Sequence, residues 1–264
     1  MAAVKDIFAF LDGKAPFQYQ LGFDNAGFLV GRGDWAVTRL LVALDITPEV
    51  IQEAVERGCQ LIVSHHPVIW DKLGQVTDES LTGRKVLALI QHGIAAICAH
   101  TNLDAVEEGV NTQLARRVGL SDTVPLEEDG VDDQGRPYGI GRVGELPEAM
   151  SLPDFTVQVK RGLGLSGVRV LDAGVPVHRV AVGGGSCGGM LGQVKAMGCD
   201  TFLTAELKHD IYLEARALGV NLLDAGHYST EAVVCPTLAA WLGEAFPEVE
   251  VLQAQRQGEV FAYL

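Results

Sequence analysis

Apolar residues along this chain gather in short unbroken runs instead of alternating with polar ones. Leu40-Leu41-Val42-Ala43-Leu44-Asp45, Leu61-Ile62-Val63-Ser64 and Ile94-Ala95-Ala96-Ile97-Cys98-Ala99 are the first of them. Val180-Ala181-Val182, Thr201-Phe202-Leu203-Thr204 and Val220-Asn221-Leu222-Leu223 follow in the second half. Such runs read as strands covered on both faces, the usual condition of parallel sheets. Helical signals lie between them. Thr47-Pro48-Glu49 offers an N-cap, a proline at the first helical position and an acid in the first turn. That helix is predicted to run to about Arg57 and to stop at Gly58. Others are predicted over roughly 82–92, from the glycine turn at 183 to Met197, over 208–218 and over 230–242. The rhythm is α/β, with mostly parallel sheets.

The stretch 121–153 breaks that rhythm. It is acidic and rich in Gly and Pro, as in Glu127-Glu128-Asp129-Gly130 and Asp132-Asp133-Gln134-Gly135-Arg136-Pro137. It reads as a linker with a hairpin between a first α/β lobe (1–120) and a second (154–264), with an exchange of terminal segments between lobes left open. The halves echo each other. Arg57-Gly58-Cys59-Gln60-Leu61-Ile62-Val63-Ser64 parallels Met197-Gly198-Cys199-Asp200-Thr201-Phe202-Leu203-Thr204, and His92-Gly93-Ile94 parallels Leu218-Gly219-Val220. A duplication of this kind places polar clusters at the carboxyl ends of strands in both lobes, where open α/β sheets bind ligands.

Composition narrows the classes. With 264 residues, 48% hydrophobic and 20% charged, the chain has the material for a substantial core. A net charge of −14 argues against a nucleic-acid groove and against an anionic membrane surface. The five cysteines form no CxxC pair and suit a reducing compartment. No secretory signal or membrane-length apolar run is evident, so the expected location is the cytoplasm.

Three segments carry metal-binding chemistry, each just after an apolar run: Ser64-His65-His66-Pro67, His100-Thr101-Asn102-Leu103-Asp104 and His227-Tyr228-Ser229-Thr230-Glu231. Imidazole and carboxylate are first-choice ligands for borderline divalent cations. Adjacent strand residues point to opposite faces, so His65 and His66 share a site only where the strand has ended, and Pro67 supports such a turn. Asp104 suits a bridging role; His100 either ligates or supports a ligand from behind, and Thr101 and Asn102 cap the turn. His227 and Glu231 stand four apart, neighbours on one helical turn, though a helix cap at Ser229 or Thr230 accounts for the same spacing. His209, after Glu206 and Lys208, is either a general acid/base or simply the start of a helix. Gly183-Gly184-Gly185-Ser186-Cys187-Gly188 matches GxGxxG and reads as a phosphate cradle or a plain strand-to-helix turn, with dinucleotide binding the rival. Asp24-Asn25-Ala26-Gly27 is turn chemistry, and His92 and His178 look structural.

Together these motifs, with Glu206-Leu207-Lys208-His209, resemble the NIF-three-like family, whose bacterial members are often labelled GTP cyclohydrolase I type 2 homologues. They occur in the family's order along nearly the whole chain. The resemblance implies two divalent metal ions held by His65, His66, Asp104, His227 and Glu231, between two similar α/β lobes. It further implies a toroidal homohexamer. The chain lacks the domain that longer relatives insert between the lobes, and it has Asp210 where the family often has a second histidine.

The function expected is metal-dependent hydrolysis of a nucleotide or related small molecule, with His209 and His100 as proton-handling groups. The alternatives are a metal-handling or scaffold protein without GTP turnover, and a nucleotide-binding regulator using the glycine turn. Imidazole and carboxylate ligands accept Zn, Mn, Fe, Co or Ni alike.

Overall fold

The computed structural model describes residues 1–262. The chain divides into two compact units: Met1–Leu103 with Cys235–Gly258, and Asp104–Val234 with 259–262. The first boundary therefore falls at 103/104, inside a short helix, where the sequence suggested 120.

The first unit holds β1 (Gly27–Val30), β2 (Arg39–Ala43), β3 (Leu61–Ser64), β4 (Ala95–Cys98) and a last strand, Glu250–Gln253. Their order is β1-β4-β3-β2 and then Glu250–Gln253. β1 is antiparallel to β4, and the other pairings are parallel. Every residue of β3 and β4 is buried, which explains their unbroken apolar character. Leu41, Ala43 and Ile62 pack with Val50, Ile51, Val86 and Leu89 of two covering helices. The first of these, Pro48–Glu56, starts where its cap predicts: Thr47 accepts the Val50 amide, and proline occupies the first turn.

The second unit holds β5 (Ser121–Pro125), the small hairpin β6 (Gly130–Val131) and β7 (Pro137–Tyr138), β8 (Arg142–Met150), β9 (Arg169–Leu171), β10 (Val177–Val182), β11 (Thr201–Thr204) and β12 (Asn221–Asp224). The main sheet has the order β5-β8-β10-β11-β12-β9. Its interior, β10 to β12, is parallel and its flanks are antiparallel. Val180 and Val182, Leu203 and Leu223 enter one core cluster, while Ala181, Phe202 and Leu222 enter another. The buried ends of the central strands thus alternate between two apolar layers, which explains their unbroken apolar runs. The acidic 121–153 stretch, expected as a linker with a hairpin, does contain the hairpin β6–β7. It also supplies two full strands of the sheet, β5 and β8.

The internal echo has a structural counterpart in the local turns. Cys59 N donates to Ala54 O at 2.9 Å, and Cys199 N to Val194 O at 3.1 Å. Between them and their helices stand Gly58 and Gly198, with φ of +65° and +72°, a region that glycine enters freely. Each turn leads into a buried parallel strand, so both units are α/β in the way the sequence implied.

Candidate metal centre

In the first unit the parallel ladder runs one step beyond β3. His65 N donates to Ala43 O at 3.2 Å and His66 N to Leu44 O at 2.9 Å. Ser64 Oγ then donates to the His66 carbonyl at 2.8 Å, a local turn that Pro67 continues. Because the strand has ended, the two adjacent histidines are no longer on opposite faces, and their ring centroids lie 5.0 Å apart. His100, two residues beyond β4, completes a triangle at 5.0 Å from the His65 ring and 5.6 Å from that of His66. One nitrogen from each ring falls within 4.8 Å of the other two.

All three rings are anchored through Nδ1. His65 Nδ1 meets the Ala99 carbonyl at 2.9 Å, His66 Nδ1 meets Asp45 Oδ1 at 2.8 Å, and His100 Nδ1 meets Asp24 Oδ1 at 2.8 Å. Each partner is an acceptor only, so Nδ1 carries the proton and Nε2 is left with its lone pair in the neutral ring. That is how metal-binding imidazoles are held: the outer partner fixes the tautomer and orientation and raises the basicity of the ligating nitrogen. The donor set therefore fits a divalent cation.

Asp24 is the hub of this arrangement. Its buried carboxylate accepts from the Asn25 amide at 2.6 Å, the Thr101 amide at 3.0 Å and the Thr101 hydroxyl at 2.5 Å, as well as from His100. Burial opposes its ionisation, but the hydrogen bonds from His100 and Thr101 outweigh burial and hold the carboxyl at about 2. Replacement of Asp24 by asparagine keeps the size and loses the charge. The His100 ring then loses the partner that orients it, and any activity that depends on His100 is expected to fall about 10–100-fold with metal content kept. Rate measurements alongside elemental analysis check this, and an unchanged rate would remove Asp24 from the role.

In the second unit His227 and Glu231 lie on one short helix, His227–Glu231, so the expected four-residue spacing does bring them together. His227 Nε2 is 2.9 Å from Glu231 Oε2, and its Nδ1 is 3.0 Å from Glu206 Oε1. Carboxylates flank the ring at both nitrogens. A neutral imidazole has one N–H and can donate to only one of the two carboxylates, so the close Nε2–Glu231 contact suits a cation. Glu206 adopts a φ of +54°, a left-handed conformation that costs a residue with a Cβ roughly 1–2 kcal/mol. Of the segment 206–209, it is Glu206 that reaches His227, while His209 is exposed at the first position of the helix His209–Leu218.

The glycine turn 183–188 leads from β10 toward the helix Leu191–Ala196, as the strand-to-helix reading of it expects. Its amides are committed within the protein: Gly183 N to Leu203 O, Gly184 N to Asn111 Oδ1, Gly185 N to Thr230 Oγ1 and Cys187 N to Thr204 Oγ1. Amides so engaged do not cradle a phosphate. The next α-helix begins only at Leu191, too late for a dinucleotide fingerprint. What requires glycine is the close approach of Glu231 and His227. A methyl group on Gly184 would lie 3.1 Å from Glu231 Cγ, and one on Gly185 would overlap Glu231 Oε1 and stand 3.1 Å from His227 Nε2.

Asp104 belongs to the helix Thr101–Ala105. Buried Asn111 donates to its carbonyl at 3.1 Å while accepting from Gly184 N, so one side chain ties Asp104 to the glycine turn. The carboxylates of Asp104, Glu231 and Glu127 add to burial in pushing the Cys187 thiol up to about 12. Arg142, buried and donating to the carbonyls of Ala105, Val106, Gly139 and Gly141, holds the segment that follows. Asn111, Arg142 and Asp45 carry no motif-level signal for these roles, since each reaches a partner on another part of the chain.

A two-unit α/β chain with anchored histidines at strand ends defines a class of candidate metalloproteins. Residues 2–258 match the model of the Duf34/NIF3 (NGG1p interacting factor 3) family, and the chain belongs to that family. A Clostridium perfringens protein named "GTP cyclohydrolase 1 type 2 homolog" is 32% identical over 263 residues, 99% of each chain. A Streptomyces coelicolor protein of the same name is 37% identical, covering 92% of this chain and 87% of its own. Among solved structures, a Staphylococcus aureus protein aligns at 30% identity with a TM-score of 0.91 over 99% of each chain. A Bacillus cereus protein related to NIF3 gives a TM-score of 0.93 at 22% identity, covering 100% of this chain and 99% of its own. No helix among the described residues is long and apolar enough to cross a membrane.

Proposed function

We propose that this chain is a dinuclear divalent-metal protein with the ligands His65, His66, Asp104, His227 and Glu231, and that it hydrolyses a nucleotide or related small molecule. The observation that carries the reading is the set of three imidazoles in the first unit, each fixed at Nδ1 and grouped so that one nitrogen of each ring lies within 4.8 Å of the other two. The His227–Glu231 contact at 2.9 Å supports it, because that contact calls for positive charge. The name shared by the bacterial relatives supports a nucleotide-type substrate.

Two such ions supply Lewis-acid polarisation of a scissile bond. The protein's part is to orient and to move protons. His100, held by Asp24, presents Nε2 as an acceptor beside the ligands. His209, exposed at a helix start, is the second proton-handling group of this reading. Asp45 and Glu206 hold the rings of His66 and His227. The assembly we propose is the homohexamer, working in the cytoplasm without direct contact to nucleic acid or membrane. Imidazole and carboxylate ligands suit Zn, Mn, Fe, Co or Ni.

Elemental analysis of the purified protein, with GTP turnover assayed before and after chelation, tests this. About two metal ions per chain and chelator-sensitive turnover are expected. Metal without turnover of GTP rejects that substrate and turns the reading to metal handling. Failure to take up metal on reconstitution overturns the central claim.

A further inference from the structure

Two large aromatic side chains stand exposed beside the three-histidine group. Phe23 is 65% exposed and Trp70 is 48% exposed. Their ring centroids are 6.2 Å apart at a tilt of 41°, and Trp70 meets the His100 ring at 5.5 Å and 76°. The His100 contact is edge-on and the Phe23 contact is tilted, and both Phe23 and Trp70 keep ring surface open to solvent.

The rings are not carried on slack loops. Asn25 Nδ2 donates to the Ile69 carbonyl at 2.7 Å, joining the turn after Phe23 to the residue before Trp70. Asp24 N donates to Leu21 O at 2.9 Å, closing the turn that carries Phe23. Phe23 adjoins Asp24, which orients His100, and Trp70 lies four residues beyond His66. The aromatic pair and the histidine group therefore share the same two fixed segments.

Placing an indole and a phenyl ring in water at the edge of a polar cluster forfeits their burial, and the surrounding hydrogen bonds hold them there. Flat π-faces of this kind bind other flat π-systems by stacking, with little regard to the pattern of polar groups on the partner. We infer that Phe23 and Trp70 form a stacking platform for the planar heteroaromatic ring of a small-molecule ligand, placing its polar remainder at the histidine group. The inference rests on the metal-site reading for what happens to the ligand, and on the ring geometry alone for its binding.

Binding of GMP, AMP and CMP to the full-length, metal-loaded protein, compared with ribose 5-phosphate, isolates the contribution of the ring. Each nucleotide is expected to bind at least about tenfold more tightly than the sugar phosphate. Trp70→Ala and Phe23→Ala are each expected to shrink that preference without changing metal content, while Trp70→Phe retains most of it. Equal binding of nucleotide and sugar phosphate overturns the inference, as does a preference that survives Trp70→Ala. Light scattering of Trp70→Ala adds a further arm: a smaller assembly with unaltered nucleotide binding shows that a second copy covers the rings, and also overturns it. Repeating the comparison on chelated protein separates the two readings. A base preference that persists without metal supports the platform even if the metal reading fails.

Discussion

Replacing His65 by alanine is expected to strip the protein of metal and abolish turnover while leaving the fold intact. His65 is fully buried, yet it sits at the end of β3 and not within it, so its loss leaves every strand pairing in place. The substitution removes one nitrogen of the proposed ligand set and the donor that satisfies the Ala99 carbonyl. A carbonyl left without a partner costs about 1–3 kcal/mol. For a chain of this size that lowers Tm by roughly 2–4 °C per kcal/mol, which calorimetry resolves easily. Glu231→Ala is expected to behave in the same way from the second unit. His92→Ala, at the exposed end of the helix Leu81–Gln91, is the control that leaves metal content unchanged. Wild-type metal retention and full turnover in His65→Ala would refute the assignment.

The second large effect is expected at Gly185, which is no ligand. Its φ of +63° makes any side chain costly there, by roughly 1–2 kcal/mol for alanine. The methyl group would also occupy the place of Glu231 Oε1. A glutamate is long and flexible enough to swing aside, so the steric conflict is relieved by moving the carboxylate and not by unfolding. Gly185→Ala is therefore predicted to cost modest stability and most of the metal bound through Glu231 and His227. Gly189 supplies the matched control, since a methyl group built on it meets nothing within 4 Å. Comparable metal content in the Gly185→Ala and Gly189→Ala variants would show that the close approach of glycine and glutamate has no bearing on binding.

Much of the scaffold was legible because its signals are local. The strand Leu61–Ser64 and the helix Pro48–Glu56 are written in neighbouring residues: an unbroken apolar run, and a threonine followed by proline and glutamate. β8 was hidden for a physical reason. It carries Pro147 and two exposed glutamates, Glu145 and Glu148, and it is held by pairing with β10 and β5 more than by its own composition. The histidine and carboxylate clusters were legible as chemistry. Their supports were not, because hydrogen-bond partners need not be near in sequence: Asp24 reaches His100 across 76 residues. The triple glycine was legible as a strand-to-helix turn, but the reason for its glycines was not. What makes glycine necessary is Glu231, on another element, and spacing carries no trace of that approach.

The strand Glu250–Gln253 pairs with β2, so the sheet of the first unit is completed by residues made more than two hundred positions after those they join. Arg39 and Glu250 seal the same junction with an ion pair at 2.6 Å. On the ribosome, the segment from 104 to 234 emerges as one uninterrupted piece and has all the strands of its own sheet before the chain is finished. The earlier-made unit must wait with one edge of β2 open until the C-terminal segment arrives. Birth order and completion order are thus reversed, and a stalled or clipped chain would expose the older half.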